Sequence, residues 1–261
     1  MNITTGKKDK PRRCLLYGTN GIGKSTFANA APNPIFIQTE EGLSDIDVNA
    51  AFDFGHNFDT VLAQLYWLYT DDHDYKTVII DTLDFLERLI WKEVAKDEGK
   101  DGVADIGYSN GYKLALKYWE KILDALNALW NTKNLNVILL AHAKTATIKD
   151  PENGPYDKYM PKLHDLPSDM LQDWCDEVFF CRHKLYITEH GDGFNKSQKA
   201  TDSGQRVIYC AEGGTHAAKN KLGLPSEIPL DFAVYQEYID KNKASKTKPV
   251  AEATQKKAET K

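Results

Sequence analysis

Apolar residues in this chain fall into short solid runs separated by stretches with helical spacing. RCLLYG (Arg13–Gly18), IFIQ (Ile35–Gln38), TVIID (Thr77–Asp81) and NVILLAHA (Asn136–Ala143) are nearly unbroken apolar runs. That is the pattern of strands covered on both faces. Between them, Phe58–Tyr69 sets Val61, Leu62, Leu65 and Leu68 at helical spacing. Leu83–Asp97 and Tyr112–Trp130 read as two further helices. A shorter helix over about Lys24–Ala31 is stopped by Pro32 and Pro34. NAAFDFG (Asn49–Gly55) is a candidate additional strand. Late in the chain, DEVFFCRHKLYIT, QRVIYCAE and KNKLGLPSEIPLDF predict short strands and turns, with a last helix near Phe232–Asp240. Strands alternating with helices predict an α/β fold with a mainly parallel central sheet flanked by helices; the late cluster predicts an antiparallel edge. Two stretches break the pattern, Lys96–Gly111 and Lys144 to about Ser168. Both are expected to be long irregular loops, which in a compact domain are usually functional.

The loop GTNGIGKST sits between the first strand and the first helix. Gly18 to Ser25 matches GxxxxGK[ST] at every fixed position, in the strand-before, helix-after context the motif needs. Gly18, Thr19, Asn20, Gly21, Ile22, Gly23, Lys24, Ser25 and Thr26 are therefore the predicted phosphate cradle. The glycines let the backbone turn its N–H groups inward, Lys24 reaches the β- and γ-phosphates, and the Ser25 hydroxyl ligates Mg²⁺. Asp81 closes the strand TVIID, the position of an acid that holds Mg²⁺ beside such a loop. Glu40 and Glu41 follow the second strand, and one of them is placed to polarise an attacking water. His142 ends the strand NVILLAH, near where the γ-phosphate would lie, with the second irregular stretch directly after it; this arrangement could pass nucleotide state to a loop. Lys219 and Lys221 would point to one side of an extended segment.

Composition narrows the setting. Of 261 residues, 41% are apolar and 27% charged, as in an ordinary soluble domain. No run approaches the roughly 20 apolar residues that span a bilayer, and no apolar stretch follows the charged N-terminus, so a cytoplasmic protein is expected. Cys14, Cys175, Cys181 and Cys210 form no CxxC pair and read as reduced core thiols. The net charge of −5 argues against a generally basic nucleic-acid coat. It is uneven, however: from Lys241 to Lys261 seven lysines face two glutamates. That end reads as a disordered tail, either a tether for an anionic partner or a solubilising end.

The order of these parts resembles the RecA-like recombinase ATPases. More closely, it resembles the compact phage-encoded ATP-binding proteins of that superfamily that act as single-strand annealing proteins. The resemblance covers roughly Arg13 to Phe232. It implies a P-loop NTPase of RecA-like type over 13–240, preceded by a polar lead-in (1–12) and followed by the tail (241–261). IFIQTEEGL resembles the segment whose glutamate activates water, which selects Glu40. VIIDT resembles the Walker B strand. AKNKLGLP resembles the KNK element whose lysines, here Lys219 and Lys221, reach the γ-phosphate on a neighbouring subunit. His142 stands where the recombinases carry glutamine. The resemblance implies ATP and Mg²⁺, a homo-oligomer with ATP at the subunit interface, and single-stranded DNA bound by the two irregular stretches. Those stretches carry Lys96, Lys100 and Tyr108, then Lys144, Lys149, Lys158, Lys162, Tyr156 and Tyr159. A single-strand-binding protein is a candidate further partner, and the cytoplasm of a bacterial host the expected location. The function so implied is DNA-stimulated ATP hydrolysis that promotes annealing or strand exchange. The alternatives are a hexameric translocase or helicase motor, and a nucleotide-switched regulatory protein without DNA binding. Only five arginines are present, Arg12, Arg13, Arg88, Arg182 and Arg206, which favours the lysine pair over an arginine finger.

Overall fold

The computed structural model describes residues 9–190 and 197–246, with residues 1–8, 191–196 and 247–261 outside that range. Five strands form its parallel centre: β1 (Arg13–Gly18), β2 (Pro34–Gln38), β3 (Thr77–Asp81), β4 (Asn136–Asp150) and β6 (Glu177–His190). They lie in the order β2-β3-β4-β1-β6, each pair parallel. β7 (Ser197–Tyr209) then pairs antiparallel with β6, and β9 (Glu227–Pro229) with β7, which makes the expected antiparallel edge. β8 (Lys219–Asn220) pairs with the start of β6.

Both faces of the sheet are covered, because the middle of each central strand is apolar at successive positions, which point to opposite faces. On one face Leu15, Ile37, Ile80 and Leu139 pack under α2 (Phe58–Thr70), α3 (Leu83–Asp97) and α4 (Asn110–Ala128), with Trp119 and Leu126 fully buried. On the other, Leu16, Phe36, Ile79 and Phe179 pack under α1 (Lys24–Asn29) and α6 (Phe232–Lys246), where Phe27, Phe232 and Tyr235 meet edge-on and tilted. The four cysteines are free and buried. Among the described residues no helix is long and apolar enough to cross a membrane.

Three expectations are corrected. Lys144–Ser168 is not an irregular loop. β4 runs on to Asp150 and returns as β5 (Gly154–Pro161), a hairpin in register from Ala143↔Pro161 to Asp150↔Gly154, and α5 (Asp165–Trp174) follows. The hairpin has no fully buried face, so its strands carry polar alternation rather than an apolar run. Its tip is a side-chain-closed turn in which Asp150 accepts the Glu152 and Asn153 amides, both at 2.8 Å. Asn49–Gly55 contributes only a single bridge, Phe36↔Ala51, along the edge of β2. Finally, α6 continues to Lys246, so the first residues of the supposed tail are helical; the remainder, 247–261, lies outside the described residues. The stretch from Lys96 to Gly111 is largely loop, with one 3₁₀ turn at Val103–Asp105, and α4 begins at Asn110.

Candidate functional site

The C-terminal ends of the parallel strands open into a cleft of about 480 Å³. The loop between β1 and α1 forms its floor. Register places Gly18, the end of β1, beside His142 within β4 and Cys181 within β6, so β4 and β6 run on past the level at which β1 stops. This close approach explains glycine at 18, since a side chain there would collide with the Cys181 carbonyl. At the other end of the loop, Gly23 has φ +106°, a conformation that favours glycine.

Lys24 is buried, and its ammonium donates to the carbonyls of Thr19 at 3.1 Å and Gly18 at 3.4 Å. Burial lowers its pKa, opposed chiefly by the charge of Asp81. Ser25 Oγ donates to Asp81 Oδ2 at 2.6 Å. Asp81 is raised by burial, with the Ser25 bond pulling the other way. The loop after β2 is pinned here as well. The Thr39 amide donates to the Asp81 carbonyl at 2.8 Å, and Thr39 Oγ1 to the Thr82 carbonyl at 2.6 Å, across the cis peptide Asp81–Thr82. That pinning sets Glu40 half-buried on the cleft wall and Glu41 out in solvent. Burial raises the Glu40 pKa; His142 and Lys24 oppose the shift, and Asp81 and Asp84 add to it.

An oxygen pair made of a serine hydroxyl and a carboxylate suits a hard divalent cation such as Mg²⁺. Among the described residues no group of three or more His, Cys, Asp or Glu is placed to hold a metal ion, at the cleft or outside it. Ser25 and Asp81 are the residues that would hold Mg²⁺, which would supply neutralisation of phosphate charge.

His142 is fixed by a residue that sequence reasoning missed. Asp84, in the first turn of α3, accepts the His142 backbone amide at 3.1 Å and lies 2.8 Å from its Nδ1. Burial pushes Asp84 up, but the His142 bonds outweigh it and hold the carboxyl below its usual range. An acceptor-only carboxylate puts the proton on Nδ1. One turn on, Glu87 accepts the His164 amide at 2.9 and 3.1 Å, and burial pushes its pKa up to about 7. Asp84 and Glu87 thus hold both ends of the β4–β5 hairpin, also closed at its root by Lys162 N–H donating to the His142 carbonyl at 2.8 Å. The acids of DTLDFLE offered only a helix-start signal in the sequence, because their partners lie 58 and 77 residues away.

The other predicted residues are not all gathered here. Lys219 and Lys221 lie near the opposite end of the sheet, where Lys219 pairs in register with Val178. Lys219 Nζ donates to the carbonyls of Gln172 and Asp173 at 2.9 Å, at the end of α5, and Lys221 Nζ to Asp176 at 3.0 Å. On the hairpin, Lys158 pairs with Glu212, and Tyr159 stacks on Phe180 with ring centroids 4.9 Å apart. Lys144 donates to the Leu163 carbonyl at 2.6 Å. Lys149 and Lys162 are exposed and Tyr156 half-buried, while Tyr108 is 98% exposed on the earlier loop. Lys162, Arg88 and Arg206 line the cleft without having been predicted there.

A family model described as an AAA domain (AAA_24) matches residues 10–222. No curated protein matches the chain.

Proposed function

From the premise that the chain belongs to the AAA_24 family of AAA-domain P-loop ATPases, we propose that it couples ATP hydrolysis to single-stranded DNA, promoting annealing or strand exchange. ATP binding and hydrolysis follow from family and cleft together. Lys24 and the loop amides would hold the β- and γ-phosphates. Glu40, its proton affinity raised by burial, would orient a water and take its proton as the terminal phosphoryl group leaves as phosphate. His142 would sense that group.

The observation that carries the DNA reading is the clamped hairpin. His142 lines the cleft and is also a root residue of β4–β5, so the state of the phosphate site has a direct mechanical route to a projecting element. Lys149, Lys162 and Tyr156 on that element, with Tyr108 nearby in sequence to α4, are the side chains suited to phosphates and bases. On this reading the protein acts as a homo-oligomer with ATP between subunits. Lys219 and Lys221 would exchange their carbonyl and Asp176 partners for a neighbour's γ-phosphate.

The test is ATP turnover by the full chain with and without single-stranded DNA, over a range of salt. Stimulation by DNA, lost in Lys149→Ala/Lys162→Ala, supports the reading; turnover indifferent to DNA at every salt sinks it. A second reading, a nucleotide-switched protein whose hairpin meets a protein partner, draws on the hairpin's own acids Asp150, Glu152 and Asp157. DNA-indifferent turnover is its expected result.

A further inference from the structure

The cleft also holds a cation that the lysine-pair reading leaves without a role. Arg206 stands on β7, on the antiparallel edge. Its backbone is fixed on both sides: it lies opposite His183 of β6, and its carbonyl accepts the Leu230 amide at 3.0 Å. The side chain is exposed and lines the cleft beside Gly23, Lys24 and Ser25. A Cβ placed on Gly23 would sit 3.1 Å from an Arg206 terminal nitrogen, so the guanidinium lies directly over the loop backbone. Among the described residues no carboxylate pairs with it. Elsewhere Arg12 and Arg13 are paired with Glu177 and Asp176, while Arg88 and Arg182 lie over the rings of Phe85 and Tyr159.

Position along the cleft tells which phosphates it would meet. Lys24, Asp81, Glu40 and His142 mark the terminal-phosphate side. Arg206 is on the other side, where the cleft meets a hollow of about 230 Å³ between α1 and the β9–α6 corner that shares Gly23, Thr26 and Arg206 with it. A nucleotide with its terminal phosphate at Lys24 has its nucleoside toward this hollow. The loop amides around Gly23 face the α- and β-phosphates. An exposed guanidinium above them, carried on a fixed backbone and with no carboxylate partner among the described residues, has the fork geometry for bidentate phosphate contact.

Resting on the reading of the cleft as an ATP site, we propose that Arg206 holds the α- and β-phosphates of the bound nucleotide and is supplied by the same chain as the P-loop. Because ATP and ADP share those phosphates, Arg206 sets affinity for both, whereas γ-phosphate recognition is left to Lys24, His142 and any neighbouring subunit.

The experiment is calorimetric titration of the full chain with Mg-ATP and with Mg-ADP, for wild type, Lys24→Ala, Arg206→Ala and Arg206→Lys, with melting curves of each unliganded protein. Loss of one charged phosphate contact predicts that Arg206→Ala weakens ATP and ADP alike, by about tenfold to a hundredfold, and that lysine restores only part. Melting should stay near wild type, since the side chain is exposed. A one-to-one mixture of Arg206→Ala and Lys24→Ala, assayed at ATP well below the Arg206→Ala Kd, should show no ATPase above the sum of its two components, because both groups serve the same site from the same chain. Wild-type affinity in Arg206→Ala, loss for ATP alone, or recovery in the mixture would each overturn the assignment. If the wild type binds neither nucleotide, the ATP reading itself fails. If the wild type binds, Lys24→Ala does not, and Arg206→Ala matches wild type, only the role of Arg206 fails.

Discussion

At the end of the sheet where the parallel strands begin, Arg12 pairs with the fully buried Glu177, which Tyr235 also contacts at 3.0 Å; Arg13 and Lys221 share Asp176 at 3.1 and 3.0 Å. At the end where the same strands finish, Lys24 donates to backbone carbonyls, Lys162 and Arg206 are exposed, and Glu40 and Asp81 face the same cleft. Both regions use the same residue types. In the first, every carboxylate has a cationic partner: Arg13 and Lys221 hold Asp176 below its usual range in spite of burial, and Arg12 opposes the rise that burial imposes on Glu177. In the second, burial raises Glu40 and Asp81 as well, and among the described residues neither carboxylate has an ion-pair partner. A closed network is what holds strands together, and an open one is what a phosphate ligand can complete. Lys221 sits in the closed network, Lys219 beside it on the backbone carbonyls of Gln172 and Asp173, and Arg206 in the open one.

The largest break in this contrast should come from Arg12→Ala. It strands the Glu177 charge in the interior and should cost about 3–5 kcal/mol, a fall of roughly 10 °C in the melting midpoint. ATP affinity of the folded protein should stay within twofold; a parallel loss of affinity would mean the two ends are not separable. Lys24→Ala should do the reverse, lowering Mg-ATP affinity by at least about a hundredfold, roughly 2.7 kcal/mol, while the unliganded melt moves little. Titration calorimetry with differential scanning reads both.

Glu87 provides a finer probe. Its folded pKa of about 7 exceeds the usual value of 4.5, so the fold binds the extra proton between those limits. The associated stability is complete below about pH 4.5 and is lost as pH rises through 7. Glu87→Gln, which can still accept the His164 amide, should therefore flatten the fall. Its melting midpoint should exceed wild type by a few degrees at pH 8, with the difference gone near pH 4.5; equal curves at both pH values would refute the shift. The smallest effect is expected from Lys221→Ala. The lysine is half-exposed and Arg13 still pairs Asp176, so melting should shift by less than about 1 kcal/mol equivalent.

What could be read from the sequence follows the range of the interactions. The P-loop was legible because its parts are contiguous, and β1 to β4 because burial on both faces demands unbroken apolar runs. Glu40 could be separated from Glu41 only by resemblance, and the pinning of Thr39 now gives the physical reason. The hairpin was hidden because Lys144–Asp150 packs against its partner strand more than against the core. Tyr159 looked like a base-stacking ring, but strand alternation turns it inward onto Phe180. Arg206 gave no local signal. Its place over Gly23 depends on β6, β7 and β9 assembling some 180 residues downstream of the loop.

The grip of α3 on the hairpin has a mechanical consequence. Past the ties of Tyr159 to Thr215 and Ala217 and of Lys158 to Glu212, the paired residues Thr147–Asp150 make an arm about 13 Å long at roughly 3.4 Å per residue. Asp84 and Glu87 clamp the hairpin at its root, and α3 itself begins two residues after Asp81. The arm is a cantilever whose support adjoins Asp81 in sequence. A tilt of about 5° at that support carries the tip roughly 1 Å, so a small rotation where the hairpin leaves the sheet is read out as a displacement of the turn at Asp150–Gly154.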